Sequence, residues 1–386
     1  MAIPFIDLKA QFARLEPAIR RRMDAVLAHG QYIMGPEVRE LEEKLAAFAG
    51  TRFCLSCSSG TDALLLPLLA WDIKPGDAVL TTAFTFYATA EVIALLGATP
   101  VFVDIDPKTF NMDPAGLERA VEALEKKDPS IHPLPAGYEK LTPRAVIPVD
   151  LFGLCADYAA IAAVAEKHGL LVLEDGAQAF GGSIEGRRAC SYGHAGATSF
   201  FPAKPLGAYG DGGAVFTDDE ELYARLVSLR VHGQGTGDNK YENVAVGING
   251  RLDSLQAAVL LPKLEAFPLE LELRQAAAER YTELLSDVVR TPHVPAGYFS
   301  AWAQYTLRTE KREAVIAHLR EQGIPTMVYY RIPMHLQPVF NHLGYKTGDL
   351  PVCEAASHDV VSLPMHPYIE EPVVRQIADA VRASLA

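Results

Sequence analysis

Residues 145–176, "AVIPVDLFGLCADYAAIAAVAEKHGLLVLEDG", hold the pattern that sets the architecture. A short apolar run ("AVIPVD") gives way to a helical pattern ("YAAIAAVAEKHG") that stops at Gly169. A second apolar run ("LLVLED") then closes on two acids, Glu174 and Asp175. Strands this apolar are stable when covered on both faces, so the segment predicts a mainly parallel sheet wrapped by helices. The same alternation extends from about Phe53 to Phe216 through "AVLTT", "TPVFVD" and "GAVFTD", with helical patterns such as "FYATAEVIALLG" between them. This is an α/β layer architecture, in which ligands collect at the carboxyl ends of the strands. Residues that do chemistry are therefore expected just after the strands.

Upstream, residues 12–49 carry helical periodicity, with glycines as stop signals. Beyond Asn249 the pattern turns helical in "RLDSLQAAVLLPKLEAF" and "ELELRQAAAERYTELLSDV", then mixed through "AWAQYTLRTE", "REAVIAHLREQG", "PTMVYY" and "EEPVVRQIADAVRASL". A chain of 386 residues exceeds the size at which one hydrophobic core stops growing. We expect a large ligand-binding domain over residues 1–260, including the N-terminal helical segment, and a smaller C-terminal α+β domain over residues 261–386. Residues 126–144, "KKDPSIHPLPAGYEKLTPR", break the alternation and read as an extended surface excursion, because prolines remove donors and restrict their neighbours.

No apolar run approaches the roughly 18 residues of a membrane span, and the N-terminus lacks the basic-then-apolar order of a signal peptide. A cytoplasmic protein without membrane partners is expected. The five cysteines are too scattered for a disulfide framework, and Cys54 and Cys57 form a C-x-x-C with no second pair to complete a zinc site, so no metal is expected. A formal charge of −13 argues against nucleic acid as a partner. An anionic small ligand would need local arginines or a helix N-terminus.

Four features carry chemistry. In "SFFPAKPLGAYGDGG" (199–213) Lys204 stands between Pro202 and Pro205 and before a burst of glycines. A restricted, partly desolvated loop of this kind can keep a lysine amine neutral and fixed, as a nucleophile requires. Asp175 ends an apolar strand, where a carboxylate is costly unless a cation pairs with it. "SSGTDALLLPLLA" opens a helix on a glycine turn; read alone it is a capped helix, and its N-terminus also suits a phosphate. Neither the P-loop spacing nor G-x-G-x-x-G is present, which weighs against nicotinamide dinucleotides. "TTAFTFYATAE" sets Phe84, Phe86 and Tyr87 at a strand-to-helix junction, where a ring could stack on a flat cofactor. Lysine, carboxylate, phosphate cup and aromatic plate together make the parts list for pyridoxal 5′-phosphate.

The segments "SSGTDAL", "TTAFTFYATAEVIALLGATPVFVDID", "EDGAQAFGG", "SFFPAKPLGAYGDGGAV", "GINGRLDSLQAAVL" and "SLPMHP" resemble the DegT/DnrJ/EryC1/StrS family of sugar aminotransferases over essentially the whole chain. The likeness is greatest to members that aminate UDP-linked 2-acetamido-2-deoxy-hexuluronic acids. The resemblance implies the type I pyridoxal-phosphate fold, built as a homodimer with shared active sites, and transamination from L-glutamate to the 3-keto group of such a sugar for lipopolysaccharide or O-antigen synthesis. It implies that Lys204 is the Schiff-base lysine and Asp175 the partner of the pyridine nitrogen. Gln178 would lie near the cofactor's phenolic oxygen, Gly60, Thr61 and Ser199 at its phosphate, and Phe86 on its ring. Asn249 would reach the phosphate from the neighbouring subunit. Arg251 is the choice for a substrate carboxylate, and Tyr329, Tyr330 and His335 in "VYYRIPMHLQP" are substrate-contacting candidates. Asp150, in "PVDLFG", departs from the family, many of whose members carry a histidine or another small polar residue there. The other readings are the same chemistry on another nucleotide-linked 3- or 4-keto sugar, such as a dTDP-linked keto-6-deoxyhexose, and a non-catalytic sensor that keeps the cofactor as a ligand.

Overall fold

The computed structural model describes residues 3–235 and 241–385. Two helices open the chain, α1 (Leu8–His29) and α2 (Pro36–Ala49), each ended by a left-handed glycine, Gly30 at φ 71° and Gly50 at φ 80°. That is the stop role glycine fills because it has no Cβ to clash. The alternating region comes next: β1 (Phe53–Cys57), α3 (Gly60–Ala70), β2 (Asp77–Thr82), α4 (Ala88–Leu95), β3 (Thr99–Val103), α5 (Pro114–Lys126), β4 (Thr142–Ile147), α6 (Tyr158–His168) and β5 (Leu171–Asp175). A short hairpin, β6 (Ser183–Ile184) and β7 (Arg187–Arg188), leads to β8 (Ala195–Ser199), β9 (Gly213–Thr217) and α7 (Glu220–Arg230). The remainder holds α8 (Ser254–Leu285), β10 (Tyr298–Phe299), β11 (Tyr305–Arg308), α9 (Arg312–Glu321), α10 (Pro351–Asp359), β12 (Val360–Leu363) and α11 (Glu371–Leu385).

The central sheet has seven strands in the order β1-β9-β8-β5-β4-β2-β3. Every neighbouring pair is parallel except those made by β9, which runs against both β1 and β8. The expected mainly parallel sheet is therefore found, with one reversed strand inserted near one edge. Both faces are covered. On one side Leu64, Leu66 and Leu68 of α3 pack with Val79, Ile147, Leu173 and Val215 of the sheet. On the other, Leu117, Val121 and Leu124 of α5 and Ile161 of α6 pack on Leu80, Val101, Val146 and Val172. Each such side chain stabilises the fold by about 1.5–3 kcal/mol relative to exposure. This arrangement sets the carboxyl ends of six strands and the start of β9 along one edge of the sheet.

The two helical patterns beyond Asn249 fuse into a single 32-residue helix, α8, with Pro262 and Pro268 inside it. It packs on α1 and α2 at one end and α11 at the other, where a separate cluster forms from Tyr281, Leu285, Tyr305, Leu319, Leu363 and Ile377. The excursion read over residues 126–144 is shorter and less exposed than expected. β4 begins at Thr142, His132 is buried with Nε2 at 2.9 Å from the Phe102 carbonyl, and Ala136 N–H donates to the Leu343 carbonyl at 2.8 Å. Its prolines end regular structure, but its apolar residues still find a surface to cover. No described helix is long and apolar enough to cross a membrane.

Candidate active site

Asp175 is the last residue of β5 and is buried. Its backbone is held on both sides: its N–H donates to the Pro148 carbonyl at 2.9 Å, and its own carbonyl accepts from Asp150 N–H at 3.0 Å. The side chain is held by the first turn of α4, where Thr89 donates its hydroxyl to Asp175 Oδ2 at 2.8 Å and itself contacts the Thr85 hydroxyl at 3.0 Å. Burial nevertheless raises the Asp175 carboxyl above the ordinary aspartate value, against the pull of Thr89 and of the Lys204 charge. A buried carboxylate in this state is short of a cation, and a protonated ring nitrogen would supply one.

Lys204 faces Asp175 from the segment between β8 and β9. Burial lowers its ammonium pKa, while the Asp175 charge resists the shift. The amine thus gives up its proton more readily than a surface lysine does, the condition for a nucleophile. The segment is tightly folded: Lys204 N–H donates to the Phe201 carbonyl and Ala208 N–H to the Phe200 carbonyl, at 2.8 and 2.7 Å. Its far side is tied down by the buried Lys263 of α8, whose Nζ donates to the Gly207 carbonyl at 2.5 Å and lies 4.4 Å from the centre of the Tyr209 ring. Lys263 is not among the residues that sequence singles out. Nothing in an apolar helical pattern marks one lysine as turning inward.

The phosphate-type cup forms where β1, β8 and β9 end or begin. Ser199 and Cys57 flank Gly213 in the sheet register, and Gly60 opens α3 beside them. Ser59 caps the helix by accepting from Asp62 N–H at 3.0 Å. The N–H groups of Gly60 and Thr61 have no protein acceptor among the described residues. A Cβ at Gly60 would stand 2.6 Å from Ser199 Cβ, so the helix terminus and the serine meet only because residue 60 is glycine. Free N–H groups at a helix start favour an anion such as phosphate.

Of the junction aromatics, Phe84 is buried and Tyr87 leans on Phe340, whereas Phe86 is 57% exposed beside the α4 turn that grips Asp175. Gln178 is buried; its Oε1 accepts from Phe152 N–H at 2.9 Å and its Nε2 donates to the Tyr330 hydroxyl at 3.1 Å. Tyr330 packs edge-on to Phe84, with Tyr329 beside it. Asn249 is exposed, and its neighbour Gly250 accepts from Ser58 N–H at 3.0 Å, which sets Asn249 next to the start of α3. Arg251 is half-buried, with its Nε enclosed and unpartnered.

His335 stands apart from this group. Its side chain is enclosed, Nε2 lies 3.0 Å from Glu354, and its ring meets Tyr345 edge-on, the arrangement of a structural histidine. Thr85 and Thr89, which hold the central carboxylate, escape a reading of the sequence; their only signal is a pair of threonines four apart at the start of a helix.

A lysine and a carboxylate facing one another at the carboxyl edge of a mixed α/β sheet, beside an anion cup, fit an aminotransferase of the type I fold. The DegT/DnrJ/EryC1/StrS aminotransferase profile matches residues 14–382, and the chain belongs to that family. It is 48% identical to a UDP-2-acetamido-2-deoxy-3-oxo-D-glucuronate aminotransferase of Pseudomonas aeruginosa, over 98% of this chain and 99% of that one. A DegT DnrJ EryC1 StrS aminotransferase from Brucella abortus superposes with a TM-score of 0.94 at 48% identity, covering 100% of both chains. NtdA of Bacillus subtilis, solved with bound cofactor PMP, superposes at 0.85 with 28% identity over 99% of this chain and 83% of that one.

Proposed function

We propose that this protein transfers an amino group from L-glutamate to the 3-keto group of a UDP-linked 2-acetamido-2-deoxy-hexuluronic acid, using pyridoxal 5′-phosphate. The observation that carries the reading is the pair of buried Asp175 and half-buried Lys204, each displaced toward its uncharged form by desolvation, beside a helix start whose first N–H groups have no protein acceptor among the described residues. When bound, the cofactor supplies an aldehyde that accepts an amino group and a ring that accepts electrons. Lys204 would hold the aldehyde, Asp175 the ring nitrogen, Gly60, Thr61 and Ser199 the phosphate, Phe86 the ring face, and Gln178 the phenolic side. Asp175, ionised, holds a proton at that nitrogen. Lys204 Nζ would be free, once the amino donor has taken its place, to take the proton from the donor's α-carbon and hold it for return. Tyr329 and Tyr330 line the approach to Gln178, and His335 serves the packing behind it.

The substrate class rests on the likeness to the Pseudomonas enzyme, and the product 3-amino sugar suits a bacterial surface polysaccharide such as O-antigen. The exposed Asn249 suits a role across a homodimer interface, at the partner's phosphate. We also read residues 1–260 as the cofactor-carrying part and 261–386 as the smaller domain, with α8 joining them. All five cysteines are free and buried, which suits a reducing, cytoplasmic setting.

Two expected results test the site directly. Gly60→Ala forces Ser199 or the helix start to move, an overpacking worth about 1–3 kcal/mol. Cofactor affinity, measured by dialysis and fluorescence, should fall roughly ten- to hundred-fold, and unchanged affinity would remove Gly60 from the cup. Arg251→Met removes a forked carboxylate donor worth about 1.5–3 kcal/mol. It should raise KM for one carboxylate-bearing substrate, keto-uronate or glutamate, without changing the half-reaction with the other. Equal KM values for both in variant and parent would exclude Arg251 as a carboxylate contact.

A further inference from the structure

Directly behind Asp175 lies a second acidic pair that the proposed chemistry does not use. Glu174 points to the opposite side of β5 and is fully buried, as is Asp150, which follows β4. Both Glu174 oxygens are taken by backbone donors in the turn before β8: Oε1 by Cys190 N–H and Oε2 by Tyr192 N–H, the latter at 2.8 Å. Asp150 is satisfied differently. Its Oδ1 accepts two donors, Ala156 N–H and the Tyr158 hydroxyl, both at 2.8 Å, while its Oδ2 is enclosed and receives none. The two carboxyls act on each other, the Glu174 charge adding to the upward push that burial gives Asp150. An ionised Asp150 would leave Oδ2 buried without a donor and next to a second negative charge, which is costly; a proton on that oxygen removes both problems.

From these contacts we infer that Asp150 is a neutral carboxylic acid whose Oδ2–H donates to an ionised Glu174, and that this pair is a positioning element for Asp175. The donors fix the direction of the proton. Glu174 has no oxygen left for one, since a hydroxyl on either would meet a backbone N–H head-on. Asp150 has one oxygen that nothing else claims. Burial raises both carboxyls; the Glu174 charge adds to the rise of Asp150, while the Tyr192 and Cys190 N–H groups and Arg187 draw Glu174 back down, the same direction. The other titratable groups facing the pair are Tyr158, Tyr192, Cys155 and Cys190, all pushed upward by burial and so neutral, with Arg187 as the cation on the Glu174 side and Asp175 beyond. The link to the site is the backbone: Asp150 N–H to the Asp175 carbonyl, and Asp175 N–H to Pro148, clamp the strand end whose side chain faces Lys204. The positioning role rests on the reading of Asp175 as the partner of the ring nitrogen; the protonation state does not.

The test compares the full-length protein, loaded with pyridoxal phosphate, with its Asp150→Asn and Glu174→Gln variants. Asparagine keeps the geometry, with Oδ1 still accepting and Nδ2 donating to Glu174, so D150N should fold, bind cofactor as the parent does and lose one protonated-carboxyl infrared band present at neutral pH. In the parent the proton is bound when folded and released on unfolding. Stability is therefore full below the ordinary carboxyl range and falls as pH rises toward the pair's own titration, about tenfold in the unfolding constant per pH unit. D150N should abolish that slope. Glutamine at 174 sets an amide N–H against a backbone N–H, so E174Q should be far less stable. Where it folds, loss of the negative charge should move the pH titration of the cofactor's visible band to lower pH, whereas D150N leaves it in place. A D150N protein as damaged as E174Q, or one that keeps the infrared band and the pH slope, would overturn the proton assignment. An unmoved cofactor titration in E174Q would overturn the link to Asp175 alone.

Discussion

Replacing Lys204 by alanine should remove both the visible absorbance of the lysine-linked cofactor and the amino-transfer activity. In the proposed reaction the residue has two tasks: Nζ would hold the aldehyde, and the same atom would move a proton once released. Positioned proton transfer alone contributes roughly 10²–10⁴-fold, and alanine supplies neither function. Arginine is the informative second variant. It keeps a positive charge near Asp175 but cannot lose a proton at working pH, so it should be as inactive as alanine while perturbing the fold less. The buried Lys263 provides the contrast, because it ties the Gly207 carbonyl from behind. If absorbance persists in the Lys204→Ala protein and disappears in a Lys263 variant, the wrong lysine has been assigned.

Asp175→Asn should give the next largest loss. Asparagine fits the same space and can still contact Thr89, but it carries no charge for the ring nitrogen. A single preorganised electrostatic partner in a buried site is worth on the order of 10²–10³-fold in rate. The pH dependence carries its own sign. Burial raises the Asp175 carboxyl above its ordinary value, and the working form is the ionised one. Activity should therefore fall as pH drops through that raised value, sooner than an ordinary aspartate would dictate. The asparagine variant should be slow at every pH and lack that acidic limb in a stopped-flow profile of the glutamate half-reaction. An acidic limb kept intact in the variant would assign it to another group.

The parts of this site that are legible in sequence are those where backbone chemistry leaves a local mark. Lys204 stands out because prolines and glycines bracket it, Asp175 because an acid at the end of "LLVLED" contradicts burial, and Gly60 because a glycine opens an apolar helix. The parallel strands are legible for the same reason: runs buried on both faces have an apolar centre, as "AVL" does in β2, which is buried throughout. What stays hidden depends on partners distant in sequence. The reversal of β9 leaves no trace in "GAVFT", since a strand covered on both faces reads alike in either direction. Thr89 and Lys263 act through contacts 86 and 56 residues away, at Asp175 and Gly207. Asp150 is visible as an unusual residue, but only the fold brings Glu174 against it. The prolines of α8 suggest two helices, whereas packing on α1, α2 and α11 keeps one.

The decisive measurement of the proposed reaction is isotopic. The purified protein, loaded with pyridoxal phosphate, is incubated with ¹⁵N-amino-labelled L-glutamate and UDP-2-acetamido-2-deoxy-3-keto-glucuronic acid, and the nucleotide sugar is weighed by mass spectrometry. The expected product is a UDP-linked 3-amino uronic acid carrying the ¹⁵N label, formed together with 2-oxoglutarate and absent with the Lys204→Ala protein. A nucleotide sugar recovered unlabelled and unchanged, from a protein that holds its cofactor, would contradict the assignment.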